Sequence, residues 1–416
     1  MLSRIATAAL WGIEAFPVDC QIDVGQGLPG FVLVGLPDPT GREARDRVRP
    51  ALRNSGFKLP DRRVTVNLAP ADRRKEGASA DLAVALGVLC ATGQSPPERL
   101  ERSAVVGELA LDGSLRGVRG TLSLAEAAWR SGATTLLCAA PAAPEAALVQ
   151  DLVVHPVAHL ADAVEWLRGG ELPRQSPAGT DVADERDPDL ADVRGQAMAR
   201  RALEIAAAGG HHLLLVGPPG SGKSMLAKRM PGILPPLEPE EALVVTRLHS
   251  AAGLRPPGRG LMHRRPYRAP HSSLSRPALI GGGSPPRPGE ISLAHHGVLF
   301  LDEFSQYARS MTDALREPLE NGSVWISRAS RSARFPSRAI LIAAMNPCSA
   351  VAFFRLFRLQ RESSRDRRRS RPFPRRYPRR GTPQSVASRS DRDRPTGRPD
   401  PCRRRRRRRG RGSGSA

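Results

Sequence analysis

The segment 212-HLLLVGPPGSGKSMLAKRM-230 decides the fold of this chain. Leu213–Val216 is a short apolar run of the kind that forms a buried strand, and it feeds directly into GPPGSGKS, Gly217–Ser224. That stretch satisfies every fixed position of G-x-x-x-x-G-K-[ST], and the SMLAKRM that follows is compatible with a helix. Glycines at these spacings let successive backbone N–H groups turn inward around phosphate oxygens, and the helix presents its positive end to them. The expected ATP-binding residues are Gly217, Pro218, Pro219, Gly220, Ser221, Gly222, Lys223, Ser224 and Met225. Lys223 is expected to neutralise the β- and γ-phosphates, and the Ser224 hydroxyl to ligate Mg2+. A chance loop rich in glycine and proline would lack this strand–loop–helix setting.

About 80 residues downstream, 297-GVLFLDEF-304 reads as a buried strand ending in paired acids. A carboxylate at Asp302 would stand beside the metal, and Glu303 would orient or deprotonate the attacking water. Alone, such a run is more often a strand that simply ends at the surface. A third apolar run, 339-AILIAAMNP-347, ends in Asn346, whose amide could bond the γ-phosphate or the lytic water; otherwise Asn-Pro merely turns the chain. Three strands with polar tips at one sheet edge favour a single site.

The segments 265-RPYRAPHSSLSRPALIGGGSPPRPGEISLAHHGVLFLDEF-304, 314-ALREPLENGSVWISR-328 and 343-AAMNPC-348 resemble magnesium-chelatase-like AAA+ ATPases of the YifB/ComM type. So do 27-GLPGFVLVGLPD-38 and 43-EARDRVRPALRNSGF-57, and the resemblance covers about residues 5–348. It implies an ATP hydrolase that forms a homo-oligomeric ring, often a hexamer, with the ComM type linked to DNA branch migration in natural transformation. It further implies that RPYRAPHSSLSRPALIGGG forms an inserted hairpin and 323-SVWISRASRSARFP-336 a second one facing the ring pore. Arg328, Arg331 and Arg334 are then candidate DNA contacts, although arginines on an exposed hairpin are more often only solvated.

Ahead of the phosphate loop, residues 1–170 alternate strand-like and helical runs and read as a first α/β domain. FVLVGLP (Phe31–Pro37) and RVTVNLAP (Arg63–Pro70) are expected strands. GREARDRVRPALRNSG reads as a helix start, with apolar Ala44, Val48 and Leu52 at i, i+4 and i+8 and with Pro50 counting against it, while ADLAVALGVLCATG and LSLAEAAWRSG read as helices closed by glycine. Residues 171–190 are rich in Pro, Gly and Asp and read as a linker, and residues 191–348 form a partial AAA+ core.

The first domain is also similar to the ribosomal-S5-domain-2 (Lon-protease-like) fold, which raises a serine peptidase as an alternative. In 75-KEGASADLAVAL-86, Ser79 falls at the nucleophile position. A serine hydroxyl needs a base within reach, and the position where those peptidases carry lysine is Leu122 here. The dyad is broken, and Ser79 is expected to be a helix cap or a packed hydroxyl. His211–His212 and His295–His296 are expected to point to opposite faces of strand-like segments, which makes each pair a poor metal clamp.

Net charge misleads when taken whole. Residues 349–416 hold 24 Arg, no Lys and five acids, a net of +19, which leaves +4 of the chain's +23 for residues 1–348. The Arg/Pro/Ser tail reads as disordered. In the resembled family further cysteines, an arginine finger and a helical lid follow this point. None is recognisable after Cys348, so a lost reading frame near Cys348–Ser349 is expected, and with it weak hydrolysis and no working ring. The tail alone would make the chain a nucleic-acid binder of no sequence preference, and a true magnesium chelatase subunit is a further alternative. Five widely spaced cysteines indicate neither a disulfide framework nor a complete zinc site, and no apolar run is long enough to cross a bilayer, so a reduced cytoplasmic setting is expected.

Overall fold

The computed structural model of the chain describes residues 2–38, 43–75, 77–176, 187–256, 258–327 and 332–347. Its front half is built on a long hairpin of β1 (Leu2–Trp11) and β2 (Glu14–Gly25), antiparallel over the whole of β1. The turn needs Gly12, whose φ is +67° and where a Cβ would lie 3.2 Å from both Ala333 and Phe335. Around this hairpin stand β3 (Gly30–Val34), β4 (Arg63–Ala69), β5 (Ser103–Val106), β8 (Thr135–Ala139) and β9 (Val153–Val157). They complete a seven-stranded sheet in the order β3-β4-β2-β1-β5-β8-β9. The short β6 (Glu108–Leu109) and β7 (Leu115–Arg116) pair with each other beside it.

One face of β1 carries Ile5 and Ala9 and packs on the helix Asp81–Ala91, in which every residue is buried. A helix apolar all round belongs in an interior, and the helices Ala44–Asn54 and Leu160–Leu167 contribute to the same core. Ala44–Asn54 runs unbroken with Pro50 inside it. Val48, Ala51 and Leu52 on its inner side are fully buried, and this packing outweighs the donor that proline removes. Left-handed Gly93 and Gly132 follow the helices Asp81–Ala91 and Thr121–Arg130, as their sequences suggest.

The rear half holds a second sheet made of β10 (Leu213–Val216), β11 (Tyr267–Arg268), β14 (Val298–Leu301) and β17 (Ile340–Met345), all parallel, in the order β10-β17-β14-β11. Alternate residues part company across it. Val298, Phe300, Ile342 and Ala344 pack with Leu203 and Ala206 of the helix Ala197–Gly209. Leu299, Leu301, Leu341 and Ala343 join Ala8, Leu10, Leu124 and Leu136 of the front half in one continuous core. Polar contacts cross the same boundary: Arg247 pairs with Glu126, Glu145 accepts from the Ser250 hydroxyl, and the Gly120 N–H donates to the Ser250 carbonyl at 3.2 Å.

The segment Arg265–Gly283 is not one inserted hairpin. Tyr267–Arg268 form the fourth strand of the rear sheet, Arg276–Ile280 is a short helix, and only Gly281–Gly282 (β12) enter a hairpin, with Arg287–Pro288 (β13). The parallel edge of β14 captures the first part before the chain can turn out. The second hairpin forms from β15 (Ser323–Ser327) and β16 (Ser332–Pro336). Of the linker, the described ends are docked: the Pro173 carbonyl accepts from His155 Nδ1 at 2.9 Å, and Leu190 is buried in the rear core. The Arg-rich tail and the junction at Cys348–Ser349 lie outside the described residues. No helix among the described residues is long and apolar enough to cross a membrane.

Candidate nucleotide site

Three parallel strand ends converge on the phosphate loop. β10 delivers Gly217, whose N–H donates to the Met345 carbonyl at the end of β17 over 3.3 Å. Gly220 and Gly222 take φ of +77° and +82°, the left-handed conformation that lets the loop fold back and start the helix Lys223–Ala227. A Cβ on Gly217 would sit 2.8 Å from Ser221 Oγ, so a side chain there would have to push that hydroxyl aside. Gln196, itself left-handed at φ +53°, buttresses the loop by donating from Nε2 to the Ser221 carbonyl at 3.1 Å.

The sequence candidates meet in this loop. Lys223 Nζ donates to the carbonyls of Gly217 (2.7 Å) and Pro218 (3.0 Å) and to Asn346 Oδ1 at 3.3 Å. The Ser224 hydroxyl donates to Asp302 Oδ2 at 2.7 Å. Asp302 Oδ1 accepts the N–H of Glu303 at 2.9 Å, and Glu303 is held at φ +47°, a conformation that costs a side-chain-bearing residue energy. Lys223, Ser224, Asp302, Glu303 and Asn346 line one cavity of about 950 Å³ together with Pro219–Met225. That volume is at the upper end for a small-molecule pocket.

The cavity has walls that the sequence motifs did not reveal. Tyr267 of β11 stacks on Phe300 of β14 with ring centres 6.2 Å apart. Tyr307 donates to the Pro270 carbonyl at 2.9 Å, which pins the cavity-lining segment Ala269–Ser272, and burial with nearby Asp302 pushes the pKa of its phenol up to about 12. Lys228 and Gln306 also line the cavity. A two-residue strand such as Tyr267–Arg268 is too short to show any period, so nothing in the sequence marked it.

Mg2+ and ATP fit these residues. Among the described residues no group of three or more His, Cys, Asp or Glu side chains is placed to hold a metal by itself. Mg2+, however, is usually bound through one or two carboxylates plus phosphate oxygens, and the hydroxyl–carboxylate pair of Ser224 and Asp302 would supply the protein's share. The Lys223 ammonium, resting on loop carbonyls, can turn to a phosphate without leaving the loop.

Other candidates fall elsewhere. Arg334 lies on β16 opposite Trp325, with its guanidinium 5.9 Å from the indole centre, while Arg328 and Arg331 lie outside the described residues. Ser79 is buried and donates to the Ala8 carbonyl at 3.0 Å, so it is a packed hydroxyl; the helix that follows is capped at Ala80 without a side-chain bond. Ser79 and Lys75 line a small cavity of about 20 Å³, which has room for a water and not a peptide, and the Lys75 amine is spent on the Gly35 and Pro70 carbonyls. Leu122 is fully buried. The histidine expectation fails for one pair: His296 has φ +55°, so the rings of His295 and His296 pack 4.0 Å apart instead of facing opposite ways. His295 accepts the Arg338 N–H at 3.0 Å, and His296 Nδ1 lies 3.1 Å from Glu241.

Comparison with known proteins gives the same assignment. The family profile described as magnesium chelatase, subunit ChlI, matches residues 189–371, and a second, subunit ChlI of Mg-chelatase, matches residues 20–141. The first match therefore runs on past Cys348. The YifB protein of Salmonella typhimurium is 46% identical over 347 residues, 83% of this chain and 68% of that protein. The competence protein ComM of Haemophilus influenzae is 46% identical over 354 residues, 83% of this chain and 69% of that protein. With its parallel sheet, its phosphate loop and this similarity along both halves, the chain belongs to the YifB/ComM family of magnesium-chelatase-like AAA+ ATPases.

Proposed function

We propose that Gly217–Met225 bind ATP, that Ser224 and Asp302 hold its Mg2+, and that Glu303 and Asn346 position the water that attacks the γ-phosphate. The observation that carries this reading is the pair of links Ser224–Asp302 and Lys223–Asn346, which tie the ends of β10, β14 and β17 together inside one cavity. Bound Mg2+ would neutralise charge on the phosphates. The chain's own part is to cradle the phosphates with loop N–H groups, to bring the Lys223 cation to them, and to hold Glu303 and Asn346 against the water. The cations among the described cavity-lining residues are Lys223 and Lys228. An arginine from a neighbouring subunit can contribute about 10³–10⁵ in rate in such ATPases, so the single chain binds ATP and hydrolyses it slowly.

The work served is a DNA-processing motor, a reading supported by the kinship with a competence protein and by the exposed Arg334–Trp325 hairpin. The front sheet serves as a non-proteolytic, Lon-like platform in a cytoplasmic protein. The test is titration of the chain with a fluorescent ATP analogue. Binding that Lys223→Ala reduces at least tenfold supports the reading, and equal binding by both proteins sinks it.

A further inference from the structure

Tyr267 is a wall residue of the cavity whose chemistry the ATP reading leaves unused. Its ring is fixed by stacking on Phe300, and β11 lies beside β14, the strand that leads into Asp302. The hydroxyl is buried and has no hydrogen-bond partner among the described residues. Leaving a buried hydroxyl unsatisfied costs about 1–3 kcal/mol, and such groups in native folds point to an ion, water or ligand that completes them. The contrast with Tyr307 is direct, since that phenol is spent on the Pro270 carbonyl. A phenol is protonated at neutral pH, so the hydroxyl can donate.

We propose that Tyr267 is a positioning residue whose hydroxyl donates to an oxygen of the magnesium–triphosphate cluster on the Asp302 side of the cavity. The inference rests on the ATP reading above. The oxygen belongs either to a water in the metal's shell or to the γ-phosphate, and in both cases the donor acts through ligand geometry and takes no proton from the reacting water. Phenylalanine keeps the ring and the stack and removes only the donor, so Tyr267→Phe is the informative variant.

The test measures the affinity of the wild-type chain and of Tyr267→Phe for a fluorescent ATP analogue with Mg2+, the same analogue with EDTA, and the ADP analogue with Mg2+. The expected result is a three- to thirtyfold loss for Mg–ATP in the variant, with thermal melting of the ligand-free proteins unchanged. If the loss disappears in EDTA, the partner is a metal-bound water. If it persists in EDTA and is absent with ADP, the partner is the γ-phosphate. Equal affinities in all three arms overturn the inference while the ATP reading stands, and failure of the wild type to bind any of the ligands overturns both.

Discussion

Ser224 and Asp302 are 78 residues apart in the chain and are joined by a 2.7 Å hydrogen bond from hydroxyl to carboxylate. A bond to a charged group is worth about 1.5–3 kcal/mol. Asp302→Ala is therefore expected to lower the stability of the nucleotide-free chain by about 1.5 kcal/mol, measured by urea denaturation. In the same variant Mg2+ should no longer strengthen ATP binding; a metal-dependent gain equal to wild type would contradict the assignment.

Glu303 carries a side chain in a left-handed backbone conformation. That conformation costs about 1–2 kcal/mol for a residue other than glycine. Glu303→Gly should leave the protein as stable as wild type or more so, while hydrolysis drops by about 10²–10⁴. Glu303→Gln should retain ATP affinity within twofold and lose hydrolysis alike, checked by titration and phosphate release.

Phe335 is fully buried in the core shared by the two halves, against Gly12 of the first hairpin. Phe335→Ala should cost about 3–5 kcal/mol. The front and rear halves should also lose structure together, because they share that core. Coincident unfolding curves by tryptophan fluorescence and far-UV circular dichroism are the expected outcome; two separated transitions would show that the halves fold independently.

His295 is held neutral, its pKa lowered to about 3, mainly by burial, with His296 and Arg338 adding to it. An unfolded histidine takes up a proton near pH 6.5, so below that pH the unfolded state binds a proton the native state refuses. This contribution to stability is complete above about pH 6.5 and is lost as pH falls toward 3, at up to about 1.4 kcal/mol per pH unit. His295→Gln should flatten the fall in urea-denaturation stability between pH 6.5 and 4.5, and an unchanged slope would exclude His295 as its source.

Trp325 is 58% exposed beside Arg334, a pairing suited to stacking on an unpaired base. Deleting residues 349–416 should remove the steep, salt-dependent part of binding to single-stranded DNA. In that shortened chain Trp325→Ala should cost a further 1–3 kcal/mol or so, measured by fluorescence anisotropy. Equal binding with and without Trp325 would remove the hairpin from the DNA interface.

The phosphate loop was legible because its chemistry is local: backbone donors, lysine and serine must follow one another within a single turn, so their order is written in the chain. Asp302, Glu303 and Asn346 were legible as polar tips of apolar runs. Tyr267 and Gln196 were not, since one stands on a two-residue strand and the other acts through a carbonyl brought to it by folding. The reading of Arg265–Gly283 as one hairpin failed because pairing to β14 is non-local, and Pro50 gave too strong a warning because burial of the opposite helix face outweighed it.

By itself, then, the sequence determined that a strand–loop–helix with the pattern GPPGSGKS is present, that Asp302, Glu303 and Asn346 follow apolar strands, and that the net charge of the chain belongs mostly to residues 349–416. Tertiary structure alone decided that β17 lies between β10 and β14, which is what brings Asn346 to Lys223 and Asp302 to Ser224. It also decided that the two halves share one core, through the alternate residues of β14 and β17. The physical reason is that strand order and side-chain parity arise from hydrogen bonds and burial between segments far apart in the chain, which no local pattern of residues records.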